Sequence, residues 1–140
     1  MLLTLVFASA AAALCGVVRR RLNRPERSPH SFWQDRVRLT ALWNHGAAFG
    51  LPIPRPLLTA GAAAGMLDLL FHPRASRLGA GLVLGGGLSN WAERLSLGKV
   101  YDYLQFPKAP WKLKNYVYNL ADLSIFAGLL VLLFCPRKRK

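Results

Sequence analysis

The stretch YNLADLSIFAGLLVLLF, residues 118–134, decides the fold. It reads as an apolar span with an aspartate, Asp122, inside its start. An ionisable side chain at membrane depth is costly, so it faces protein or water and has a task there. A second aspartate, Asp102, lies in GKVYDYL at the edge of another hydrophobic span. Two carboxylates brought together can share one proton, leaving one as base and the other as acid.

Outward from that stretch the chain carries three more apolar runs. The first, Leu2 to Val18, is seventeen residues long, just enough to cross a bilayer. Its small residues Ala8 to Ala13 would suit a signal peptide, but a basic start and a clear cleavage site are missing, so a retained anchor is expected. The second, about Leu57 to Phe71, follows Pro56, well placed for a first helical turn, and ends at His72-Pro73-Arg74. The third, about Leu78 to Leu95, carries Gly85, Gly86 and Gly87, small residues that let helices approach closely in lipid. The fourth, about Tyr116 to Phe134, stops at Pro136 and a basic tail, Arg137 to Lys140. The expected architecture is an all-α membrane protein, one four-span domain over residues 1–140 with spans near 2–18, 57–71, 78–95 and 116–134.

Between the first two spans, Arg19 to Pro56 is polar and broken by five prolines. Inside it Val37, Leu39, Ala41 and Trp43 alternate with Arg36, Arg38 and Thr40, a period of two that predicts a strand. This is the small extracytoplasmic β element of the expected fold, with Trp33 and Trp43 suited to the membrane interface.

Hydrophobic residues make up 53% of the 140, while 19 Lys and Arg against 6 Asp and Glu leave a formal charge of +13. Basicity of that size is compatible with nucleic-acid binding. Here the cations fall between apolar runs, as membrane-flanking loops do, so no nucleic-acid partner is expected. Cys15 and Cys135 both lie in apolar runs, and His30, His45 and His72 are too scattered for a metal site. Four spans put both termini on one side, and the basic tail argues for the cytoplasm. The loops argue the reverse: seven basic residues in 19–51 and five in 94–114 would lie outside, against six inside.

Three polar patches fall on one side of a four-span arrangement: NHGAAFG at 44–50, GGGLSNWAER at 85–94 leading to VYDY at 100–103, and YNLAD at 118–122. The third span leaves the membrane where the fourth enters, so Asp102 and Asp122 can meet. Asn90 and Arg94, four apart, share a helix face, as do Asn119 and Asp122, three apart. Asparagine amides can donate to a carboxylate, and Arg94 can pair with Glu93 or with one of the two aspartates. Taken singly, each residue has a plainer reading. Asp122 caps a helix, Asp102 is a solvated loop charge, Asn90 and Asn119 join helices, and Arg94 snorkels. Asp68, in the second span, would pair with Arg74 or Arg77.

Together, in order and spacing over roughly 43–130, these segments resemble the lipoprotein signal peptidase (signal peptidase II) family, with its N-x-G-A-A-F, G-G-x-x-G-N-x-x-D-R, V-V-D-F and F-N-x-A-D landmarks. The resemblance implies a four-span aspartic endopeptidase of the bacterial inner membrane, its active site facing the extracytoplasmic side, and it fixes the expected orientation where the charge counts do not. It implies Asp102 and Asp122 as the catalytic pair, with Asn44, Asn90, Arg94 and Asn119 as substrate-binding or supporting residues. The implied partners are diacylglyceryl-modified prolipoprotein signal peptides and membrane lipid, with a monomeric enzyme needing neither cofactor nor metal. Ser89 departs from the family's glycine and Glu93 from its aspartate, and the first span lacks the family's aspartate and lysine. A non-catalytic paralogue that binds acylated or signal-peptide helices is the alternative. A small channel or transporter fits less well, because the polar residues cluster on one side.

Overall fold

Four helices form over the apolar runs: α1 (Leu2–Leu22), α2 (Arg55–Phe71), α3 (Arg77–Leu97) and α4 (Leu120–Phe134). The computed structural model describes residues 1–23, 29–46, 53–72 and 75–135. Ala47 to Gly50 of the NHGAAFG segment, Arg74 and the basic tail lie outside the described residues.

The helix ends differ from the expected spans for local reasons. α1 runs past Val18 through Arg19, Arg20 and Arg21, cations that complement the negative end of a helix dipole. α2 has its proline in the first turn, as expected. α3 starts behind Ser76, whose side chain accepts from the Gly79 N–H, and ends at Gly98, where φ of +68° closes the helix in the left-handed region. α4 begins at Leu120, not at 116, because Val117 and Tyr118 are drawn into a sheet.

A small sheet, the expected β element, joins the four helices. It has four antiparallel strands in the order β1 (His30–Phe32), β2 (Val37–Asn44), β3 (Val100–Gln105) and β4 (Val117–Tyr118). The strand expected over 37–43 is β2, but two of its three companions come from outside the 19–56 segment. Asp102, expected in a loop at a span's edge, sits within β3 opposite Leu42, with Asn44 opposite Val100. The run VYDYL is rich in β-favouring residues, and the turn at Gly98 aims it back along β2.

α3 is the axis of the bundle. Its three consecutive glycines face three different helices, as a rotation of about 100° per residue requires. A side chain on Gly85 would strike the Ala8 carbonyl of α1, one on Gly86 the Ala121 carbonyl of α4, and one on Gly87 the Met66 sulfur of α2. The buried set is small: Ala8, Cys15, Ala80, Leu84 and Ala121 between helices, and Val100, Tyr101 and Tyr103 on β3. Large apolar side chains point outward instead, among them Leu57, Leu67, Phe71, Phe126, Leu133 and Phe134. Among the described residues, α1 is both long and apolar enough to cross a membrane by itself, and α4 is apolar but shorter.

Candidate active site

The first turn of α4 builds one half of the site. Helix starts leave backbone N–H groups without partners, and Asn119 and Asp122 satisfy two of them reciprocally. The Asn119 side-chain oxygen accepts from Asp122 N–H at 2.9 Å, and Asp122 Oδ2 accepts from Asn119 N–H at 3.0 Å. The other carboxylate oxygen, Oδ1, accepts from the Asn90 amide of α3 at 2.8 Å. The plain reading of Asp122 as a helix cap is therefore true, yet it uses only one oxygen.

Strand β3 builds the other half. Asp102 is 2% exposed. Its Oδ1 accepts from Asn119 Nδ2 at 2.8 Å and its Oδ2 from Asn44 Nδ2 at 3.1 Å. Asn119 Nδ2 also donates to Asn90 Oδ1 at 3.1 Å. Asn119 thus touches both carboxylates and the asparagine that holds the second one. Burial and, after it, the negative charge of Asp122 push the Asp102 carboxyl up to about 6 from 3.8, against the donors Asn44 and Asn119 and the charge of Arg94.

All six polar residues singled out from the sequence meet here. Asp102, Asp122, Asn44 and Arg94 share the wall of one cavity of about 410 Å³, otherwise lined mainly by apolar side chains such as Phe106, Leu113, Ile125 and Leu129. That volume falls in the range of small-ligand sites. Asn90 and Asn119 stand behind the two acids. Arg94 donates to the Gly46 carbonyl at 3.3 Å while its charge faces both aspartates. It does not take Glu93 as its ion-pair partner; Arg19 of α1 does, at 2.9 Å. Asp68 is exposed on α2 and forms no ion pair with Arg77.

Sequence reasoning passed over Tyr101 and Tyr103, which flank Asp102. Both are buried on the opposite face of the strand. The Tyr103 hydroxyl oxygen accepts from Leu120 N–H at 3.0 Å, and the Tyr101 hydroxyl donates to the Leu22 carbonyl at 3.3 Å. The available signal was their i, i+2 spacing in a β-favouring run.

The fold, a helical bundle roofed at one end by a small sheet, is that of solved membrane enzymes. Two structures described as a bacterial membrane enzyme match with TM-scores of 0.81 and 0.80 at 16% identity, over 93% of this chain and 84% and 89% of theirs. The model of the signal peptidase (SPase) II family matches residues 4–136, and the chain belongs to that family, one of signal-peptide-removing membrane aspartic proteases. Its relatives include the lipoprotein signal peptidases of Methylorubrum extorquens, 36% identical over 66% of this chain and 58% of that protein, and Acaryochloris marina, 37% identical over 81% and 72%. A third, from Desulfitobacterium hafniense, is 40% identical over 76% of this chain and 74% of that protein. The matched part thus spans between 58% and 74% of these relatives' lengths.

Proposed function

We propose that this chain is a membrane aspartic endopeptidase that removes the signal peptide of prolipoproteins just before a lipid-modified cysteine, with Asp102 and Asp122 as its catalytic pair. The observation that carries the reading is the single asparagine, Asn119, that binds Asp102 and caps the helix turn holding Asp122, with both acids lining one cavity. One carboxylate activates a water that attacks the scissile carbonyl. The other, protonated, donates a hydrogen bond to the carbonyl oxygen and then protonates the leaving amine. A coupled pair titrates as a unit, so the resting proton belongs to both acids. Asn44, Asn90 and Asn119 orient the pair, and Arg94 offsets its negative charge.

The same reading has α1 to α4 all crossing the bacterial inner membrane, with the sheet and the acids on the extracytoplasmic side. Its support is the outward-facing leucines and phenylalanines and an apolar cavity suited to an acylated substrate. α2 and α4 rise about 26 and 23 Å, short of a hydrocarbon layer of about 30 Å, a mismatch met by local bilayer thinning. The monomeric state and the single-domain organisation over 1–140 belong to the same proposal.

The test is cleavage of a synthetic diacylglyceryl-modified lipobox peptide by the purified chain in lipid nanodiscs. Cleavage before the modified cysteine, lost in both Asp102→Asn and Asp122→Asn, is the expected result. Binding without cleavage would instead assign the chain to the non-catalytic class.

A further inference from the structure

Glu93 is a buried acid that the proposed chemistry does not use. It is 3% exposed, and it neighbours Arg94 on α3 yet turns the other way. Its carboxylate lies 2.9 Å from the Arg19 guanidinium of α1 and also accepts from the Tyr101 backbone N–H of β3. Arg19 itself is largely covered, its side chain 28% exposed. A second link runs in parallel, because the Tyr101 hydroxyl donates to the Leu22 carbonyl in the last turn of α1. Two polar ties therefore join the end of α1 to the residue immediately before Asp102. They meet from the face of the strand opposite the acid.

We infer that the Arg19–Glu93 ion pair is a positioning device for Asp102: it fixes the height of β3 against the helix bundle, and so the distance of that carboxylate from Asp122. The inference rests on the proposed role of the two aspartates. A buried charge left without its partner is strongly unfavourable, whereas removing both charges together is tolerated. Loss of Arg19 alone leaves Glu93 buried without its counter-charge, and the strand that donates to Glu93 is the element free to shift. Loss of both charges, as Arg19→Gln with Glu93→Gln, keeps an acceptor for the Tyr101 N–H and removes the conflict. Neither side chain reaches the cavity that holds the acids, so neither acts on substrate directly.

The experiment is steady-state cleavage of the acylated lipobox peptide in nanodiscs, per mole of folded protein, by the full chain. Arg19→Gln should lower kcat by about 10- to 100-fold with KM within about twofold, the size of loss that a misplacement of about 1 Å produces. Glu93→Gln should fold and lose less. The double variant should recover most of the loss, and Arg19→Lys should stay within about threefold of the parent, a non-additivity expected of side chains in contact. A general loosening of the bundle would instead lower the folded yield or move KM together with kcat. Unchanged kcat in Arg19→Gln, or a double variant no better than the single one, overturns the inference. Asp102→Asn is measured alongside. If it cleaves normally, the acid pair falls and this inference with it. If it is inactive while the Arg19 and Glu93 variants match the parent, only this inference falls.

Discussion

The first turn of α4 and the middle of β3 each present one acid to the same cavity, and they hold it by opposite means. Asp122 is held mainly by its own neighbours in the chain: the Asn119 N–H and the capping exchange three residues long. Asp102 is held by groups distant in sequence, Asn44 on β2 and Asn119 before α4, and its strand is tied down by the flanking tyrosines. An acid in a capping box assists folding of its own helix. An acid buried in a sheet, beside another carboxylate, works against folding unless it keeps its proton. The two acids thus reach one cavity on different supports, one local to its own helix start and one drawn from across the fold.

Exchanging each acid for its amide separates the two most sharply. Asp102→Asn and Asp122→Asn should each lower lipobox cleavage by about 10³-fold or more, as loss of a general acid or base does. Asp102→Asn should also raise the thermal midpoint in detergent at neutral pH, because it removes a carboxylate that burial disfavours.

Asn119 serves both regions, so Asn119→Ala should cost more than any other asparagine change. It loses a helix cap and a hydrogen bond to a buried carboxylate, together about 2–4 kcal/mol by denaturation in detergent. Asn44→Ala, which deprives only Asp102 of a donor, should cost about 1–2 kcal/mol.

The strain at Asp102 has a pH signature of known sign. Its carboxyl titrates near 6 in the folded chain against 3.8 in its ordinary state, so the fold binds this proton more tightly than the unfolded chain does. The resulting stabilisation is complete below pH 3.8 and is lost as pH rises through 6, a change of about 2–3 kcal/mol. Unfolding measured between pH 4 and 7 should show that decline in the parent and a flatter profile in Asp102→Asn. An identical profile in both would show that Asp102 does not carry that decline.

A further effect lies at the helix contact behind Asp122. Gly86→Ala would drive a methyl into the Ala121 carbonyl, 2.5 Å away. It should lower stability by about 1–3 kcal/mol and disturb Asp122 more than Asp102, read as weaker cleavage with an unshifted pH profile.

Much of the site was legible because its residues stand in short motifs whose spacing carries geometry. Asn119-x-x-Asp122 is a helix start in any context, and Asn90 to Arg94 is one helical turn. The four apolar runs likewise announced four helices, and the three glycines announced close packing. The strand at Asp102 was missed because a six-residue run between two spans has too little periodicity to separate from a loop. The start of α4 was misplaced because Val117 and Tyr118 are apolar enough to continue a span, and only pairing with Leu104 and Gln105 makes them a strand.

The sequence by itself determined the membrane character, the helices and the family, since these follow from local hydropathy and from motifs read along the chain. Which asparagine holds which acid, that Arg19 rather than Arg94 takes Glu93, and that Asp102 rides on a strand were decided only in three dimensions. Their hydrogen bonds join residues 17 to 58 positions apart, and the Arg19–Glu93 pair reaches further still. A contact of that kind exists only once α3 has gathered α1, α4 and the sheet around it.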